Sequence, residues 1–155
     1  MAPSNRPTGK PVVGTETTGE AITDRPGRRV TLLADTEELT LTDLDYGPGQ
    51  LGASPHVHSD HSDAFLVLEG ELEITFESGP LRAPAGTLVL IPRGVVHAFG
   101  NTSDATVRFL NVHAPSCGFG DYLRGQNPGF DQHDPPPDGG ADPANVVVRT
   151  FDIGA

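Results

Sequence analysis

Glycine and proline punctuate this chain too closely for long helices. There are 19 glycines and 15 prolines among 155 residues, and in a helix interior each costs about 1 kcal/mol (Gly) or about 3 kcal/mol (Pro) relative to alanine. The apolar residues make up 35% of the chain, enough for one core at this length. The remaining solution is short strands joined by many turns. Strand-like runs occur at 30–33, 39–45, 56–58, 65–68, 71–76, 87–91, 97–99, 106–113 and 146–152. Turn signals separate them at Gly47-Pro48-Gly49, Glu69-Gly70, Ser78-Gly79-Pro80, Pro92-Arg93-Gly94 and Asn101. This rhythm predicts an all-β sandwich or barrel.

Alternation sharpens the picture. In the run 71–76 the apolar Leu72, Ile74 and Phe76 are two apart, which gives one buried and one wet face. The run 64–68 is apolar on both faces and predicts a central strand, covered on its outer side by other elements or by a second subunit. On 106–113, Val107, Phe109, Asn111 and His113 share one face. Residues 1–28 lack periodicity and read as an extended or flexible arm. The Pro/Gly/Asp-rich stretch 125–145 reads as a loop, after which 146–151 returns to the sheet. The expected division is an arm at 1–28, a barrel at 29–124, and a loop with a final strand at 125–155.

Ten basic against 21 acidic residues leave a net charge of −11, which disfavours nucleic acid and anionic membranes as partners. Cys117 is the single cysteine, so no intrachain disulfide forms. No run of about 18 apolar residues is present. The first residues, MAPSNRPTGKPVVG, lack the apolar stretch of a signal peptide, and a cytoplasmic protein is expected.

Three of the six histidines, His56, His58 and His61, fall within six residues, with Asp60 and Asp63 beside them. In an extended chain His56 and His58 point the same way. Imidazole with carboxylate suits divalent first-row metals, and two histidines with one carboxylate form the facial site of non-haem iron oxygenases. A solvated polar turn would carry the same residues. A second pattern narrows the choice. Gly86, Pro92, Gly94, His97 and Asn101 occupy all five positions of G-x5-P-x-G-x2-H-x3-N. His56, His58 and Gly70 occupy three positions of G-x5-H-x-H-x3,4-E-x6-G, with Asp63 at the glutamate position and Gln50, next to Gly49, at the first glycine. With 15 residues, 71–85, between the two patterns, the chain resembles the small single-domain members of the cupin superfamily, of the quercetin-dioxygenase-like type.

That resemblance covers roughly residues 40–113. It implies a double-stranded β-helix, or jelly-roll barrel, with one divalent metal ion (Fe, Mn, Ni, Co, Cu or Zn) held by His56, His58, Asp63 and His97. Asp63 is one methylene shorter than the glutamate it replaces, so it either ligates directly or supports the ligands from behind; His61 is the rival fourth ligand. Asp63 or a metal-bound water is the expected general base. Phe99, Asn111, His113, Phe119 and Tyr122 are the expected substrate-binding residues, Phe119 and Tyr122 together with Phe130 as an apolar lid, while His133 is expected to be merely solvent-exposed. The implied activity is a dioxygenase acting on a small oxygenated molecule. A metal-dependent isomerase, cyclase or lyase is the alternative, or a binding protein without catalysis. A homodimer is expected.

Overall fold

A computed structural model describes residues 18–154. Ten strands form two antiparallel sheets: β1 (Glu20–Arg25), β2 (Arg28–Asp35), β3 (Thr40–Tyr46), β4 (Ser62–Glu69), β5 (Glu71–Phe76), β6 (Gly79–Pro84), β7 (Thr87–Ile91), β8 (His97–Gly100), β9 (Val107–Ala114) and β10 (Val147–Thr150). The larger sheet has the order β1-β2-β3-β9-β4-β7-β10 and the smaller one β6-β5-β8. One short helix, α1 (Phe119–Leu123), follows β9. Among the described residues no helix is long and apolar enough to cross a membrane. The all-β jelly-roll barrel expected above is the fold observed.

The inner faces of the two sheets meet in one core. Phe65 and Val67 of β4, Leu72, Ile74 and Phe76 of β5, Val89 and Ile91 of β7, and Val107 and Phe109 of β9 all contribute to it. Burial alternates strictly along β9, with Val107, Phe109, Asn111 and His113 inside. Tyr46, Phe65, Phe99 and Phe109 pack together, with ring centroids 4.9 to 6.2 Å apart. Contacts of this kind add about 0.5–1.5 kcal/mol per pair beyond burial. They fill one part of the barrel with rings and leave polar side chains to another. Ala64, Leu66, Leu110 and Val112 lie half-buried on the outer face of the large sheet.

The motif glycines serve the turns. Gly70 has φ 75°, and a Cβ there would stand 2.5 Å from the Thr106 carbonyl oxygen. Gly86 has φ 90° and abuts the carbonyl of Phe151 just beyond β10. Asn101 is a structural knot. Its Nδ2 donates to the carbonyls of Tyr46 and Ala105, both at 2.8 Å, and its Oδ1 accepts from the backbone N–H and the hydroxyl of Ser103.

Three segments differ from the sequence reading. Of the arm at 1–28, residues 1–17 lie outside the described residues, and Glu20–Arg25 is a strand paired with β2. The stretch around Gly79-Pro80 begins a strand, β6, rather than serving only as a turn. Proline is tolerated there because β6 is the edge of its sheet, paired on one side only with β5. Residues 56–58 form isolated bridges instead of a full strand.

Replacing Asn101 by alanine strands two carbonyls, one of them inside the barrel wall. We expect a loss of about 2–3 kcal/mol in denaturant unfolding, with metal content unchanged. A wild-type midpoint would show that the knot is dispensable.

Candidate metal centre

The two halves of the site are joined through the main chain. The His56 N–H donates to the His97 carbonyl (3.1 Å), and the His97 N–H to the His56 carbonyl (3.0 Å). This exchange sets the imidazoles of the two sequence patterns 4.3 Å apart, centroid to centroid. The Gly94 N–H donates to the His58 carbonyl and so ties the second turn to the first histidine pair. Asp63 enters from β4, where it pairs with Ile91 on one side and His113 on the other.

Each ligand histidine has its tautomer decided by a carbonyl. Nδ1–H of His56 donates to Ser54 O (2.7 Å), that of His58 to Asp131 O (2.7 Å), and that of His97 to Val95 O (2.9 Å). A carbonyl only accepts, so Nδ1 carries the proton and each neutral ring keeps its Nε2 lone pair free. One nitrogen of each of the three rings and a carboxylate oxygen of Asp63 all lie within 4.8 Å of one another. Asp63 Oδ2 is 3.1 Å from His97 Nε2 and 3.5 Å from His58 Nε2.

This arrangement fits a metal ion. All four side chains are buried, and His58 Nε2 has no hydrogen-bond partner among the described residues. Four lone pairs pointing at one another repel unless a cation lies among them. The donor set is three imidazoles and one carboxylate, which suits a divalent first-row ion. The shorter Asp63 reaches the cluster. His61, the rival ligand, is fully buried but turned away. Its Nδ1 bonds Asp131 Oδ2 (2.8 Å) and its Nε2 meets His113 Nδ1 (2.7 Å).

Electrostatics keep the donors ready. Burial, helped by the charge His97 would carry, pushes His56 down to about 4. Burial likewise takes His113 to about 3, although Asp63 opposes this. Burial would raise Asp63, but His113, His58 and His97 outweigh it and hold its carboxyl well below the usual range. His56 and His113 are therefore uncharged at neutral pH, and Asp63 is an anion.

A cavity of about 300 Å³ opens onto the cluster at His56 and Asp63. His56, Asp63, Asn111 and His113 line its polar side, and Leu44, Tyr46, Phe99 and Phe119 its apolar side. The five residues expected to bind substrate, Phe99, Asn111, His113, Phe119 and Tyr122, all face this cavity. Asn111 Nδ2 donates to Asp63 Oδ1 (2.5 Å). Helix α1 closes the rim, where Phe119 stacks on His113 at 3.7 Å and Tyr122 on Phe130 at 4.7 Å. Arg28, which the sequence pattern does not mark, sits at the edge with its guanidinium 5.3 Å from the Tyr46 ring centroid.

Asp131 is the larger omission. It accepts the backbone N–H groups of Ser59 (2.9 Å) and Asp60 (2.7 Å), and also bonds His61 and His133. Burial opposes its charge, but these donors hold it well below the usual carboxylate range. The His133 main chain exchanges hydrogen bonds with Val57. His133 is thus 54% exposed, as expected in part, yet anchored. The segment read as a loose linker clamps the histidine turn. Among many scattered acids, nothing local to Asp131 marks it out.

Barrel and donor set define a class: a jelly-roll protein with a buried His3Asp cluster suited to a divalent ion. Residues 43–113, a little under half of the chain, match the cupin-domain family Cupin_2. It is similar to germin-like protein subfamily 2 member 4 of Arabidopsis thaliana, with 33% identity over 102 residues, 63% of this chain and 46% of that one. The chain spans about half the length of the curated relatives it matches. Among solved structures it is similar to the polyketide cyclase RemF of Streptomyces resistomycificus (26% identity, TM-score 0.55, 66% of this chain and 78% of that one). A sugar phosphate isomerase of the cupin superfamily from Silicibacter pomeroyi gives 26% identity and a TM-score of 0.54, covering 57% of this chain and 59% of that one.

Two outcomes follow. His97→Ala should lower metal affinity more than about 100-fold, beyond the 10–100-fold that losing a supporting partner costs, as read by elemental analysis after dialysis. Asp63→Ala with undiminished affinity would remove Asp63 from the ligands. In metal-free protein the unfolded histidines take up protons near pH 6.5, whereas folded His56 and His113 resist until about 4 and about 3. The unfolded state binds more protons in that window, so stability falls as pH drops through it. A calorimetric Tm that stays level from pH 6.5 to 4 would show that these rings are not buried neutral.

Proposed function

We propose that the chain is a metal-dependent enzyme that rearranges a small oxygenated molecule by proton transfer, as an isomerase or cyclase does. The observation that carries this reading is the cavity wall itself, which sets anionic Asp63 and neutral His113 beside the three-histidine cluster. His56, His58, His97 and Asp63 would hold the ion. Bound there, a divalent ion supplies Lewis acidity toward a carbonyl or enolic oxygen.

The chain's own groups supply the rest. Asn111 orients the Asp63 carboxylate through Oδ1. His113 faces the cavity as an uncharged ring and is available to take a proton. Phe119 and the aromatic wall limit water. The names of two similar structures, a cyclase and an isomerase, favour chemistry without oxygen.

Dioxygenase activity is the second reading. A His and carboxylate donor set with room for further ligands is also the kind that iron oxygenases use. Turnover of a panel of enolic and hydroxy-carbonyl compounds by metal-reconstituted protein separates the two. We expect product to form at the same rate under air and under argon. Strict dependence on oxygen, with stoichiometric uptake at an electrode, would replace the first reading by the second.

A further inference from the structure

We propose that His113 is a hydrogen-bond acceptor dedicated to the substrate, and that it selects a small apolar molecule carrying a hydroxyl next to a carbonyl. This rests on the site being a metal centre for a small molecule, as proposed above.

A chain of buried hydrogen bonds runs from Asp131 through His61 to His113. Asp131 is its fixed end, because two backbone N–H groups already donate to its carboxylate. His61 therefore donates from Nδ1 to Asp131 Oδ2 (2.8 Å). His61 is fully buried, with its ring against those of His58 and His113, and with the one proton of a neutral ring on Nδ1 its Nε2 holds a lone pair. His113 Nδ1, 2.7 Å away, must then be the donor. A neutral imidazole has one N–H. His113 Nε2 is consequently bare, and the ring is held in plane by Phe119 stacked at 3.7 Å.

That bare nitrogen faces the cavity 3.6 Å from Asp63 Oδ1. Both atoms are acceptors. Oδ1 already takes the Asn111 amide, so Nε2 is the acceptor left without a donor, and a hydroxyl carried by the ligand supplies one. Near the His56 and Asp63 side, the same molecule would present its carbonyl oxygen. Leu44, Tyr46, Phe99 and Phe119 suit an apolar body, and about 300 Å³ limits it to a small one. His61 and Asp131 act through His113 and are positioning residues.

The first test needs no ligand and no metal. Long-range proton–nitrogen correlation spectra of the metal-free chain, with labelled histidine, should show His113 protonated on Nδ1 and bare on Nε2. An Nε2–H tautomer overturns the proposal. The second test uses zinc-loaded protein and two probes, phenacyl alcohol and its methyl ether. Wild type should bind the alcohol at least tenfold more tightly by calorimetry. His113→Phe, which keeps the ring stack, should bind both alike with zinc content unchanged. His61→Leu should retain zinc, release the His113 tautomer in the spectra, and lose most of the preference. Zinc-loaded wild type that binds the probes equally, or binds neither, overturns the assignment while leaving the metal reading standing. Failure of wild type to take up zinc overturns the metal reading instead, and the tautomer spectra still judge His113.

Discussion

The centre depends on three hydrogen bonds from imidazole Nδ1–H to main-chain carbonyls, those of Ser54, Asp131 and Val95. A carbonyl offers no proton, so each bond decides both tautomer and ring direction. The result is a set of Nε2 lone pairs aimed at one point in the barrel, next to an anionic carboxylate. Such a set is unfavourable by itself, since it desolvates four acceptors without giving them donors. The surrounding structure has to hold it in place. The backbone exchange between His56 and His97 does so directly, and the Tyr46–Phe65–Phe99–Phe109 packing supplies a rigid apolar side.

Support from outside the barrel strands is equally physical. Asp131 gathers the Ser59 and Asp60 amides, His61 and His133 around one carboxylate, and its own carbonyl orients His58. The segment after α1 therefore belongs to the centre. Phe130, next to it, packs against Phe119 and Tyr122 and links this clamp to the rim of the cavity. A change at the rim thus reaches a ligand histidine through two adjacent residues.

What was legible in the sequence was what is local. The period of two along β9 places Asn111 and His113 inside, because alternation is a property of the strand alone. Gly70, Gly86 and Asn101 stand out because a positive φ or a turn knot admits few residue types. The spacing of His56 and His58 is local too, and the fold brings both rings beside that of His97. Asp131 escapes notice because its partners lie about 70 positions away and it stands among other acids. Strand β6 is masked by a proline that an edge tolerates. The hairpin partner of β2 is masked by a segment rich in charged and small residues, whose pairing only the neighbouring strand reveals.

Aspartate in place of glutamate acquires a meaning from this geometry. Asp63 is paired on both sides, to β7 and to β9, so its main chain has little freedom to approach the histidines. Its carboxylate nevertheless divides its work. Oδ2 faces His97 and His58, while Oδ1 takes the Asn111 amide and looks toward His113. The short side chain has few rotamers, and with one oxygen held by Asn111 the other is committed to the histidine cluster. One residue therefore forms the boundary between the ligand cluster and the substrate-facing wall. A longer glutamate would carry its carboxylate about one methylene further toward the histidines and away from Asn111 and His113. The aspartate keeps cluster and wall within one hydrogen-bonded system, so that the neutral state of His113 and the charge of Asp63 are maintained together.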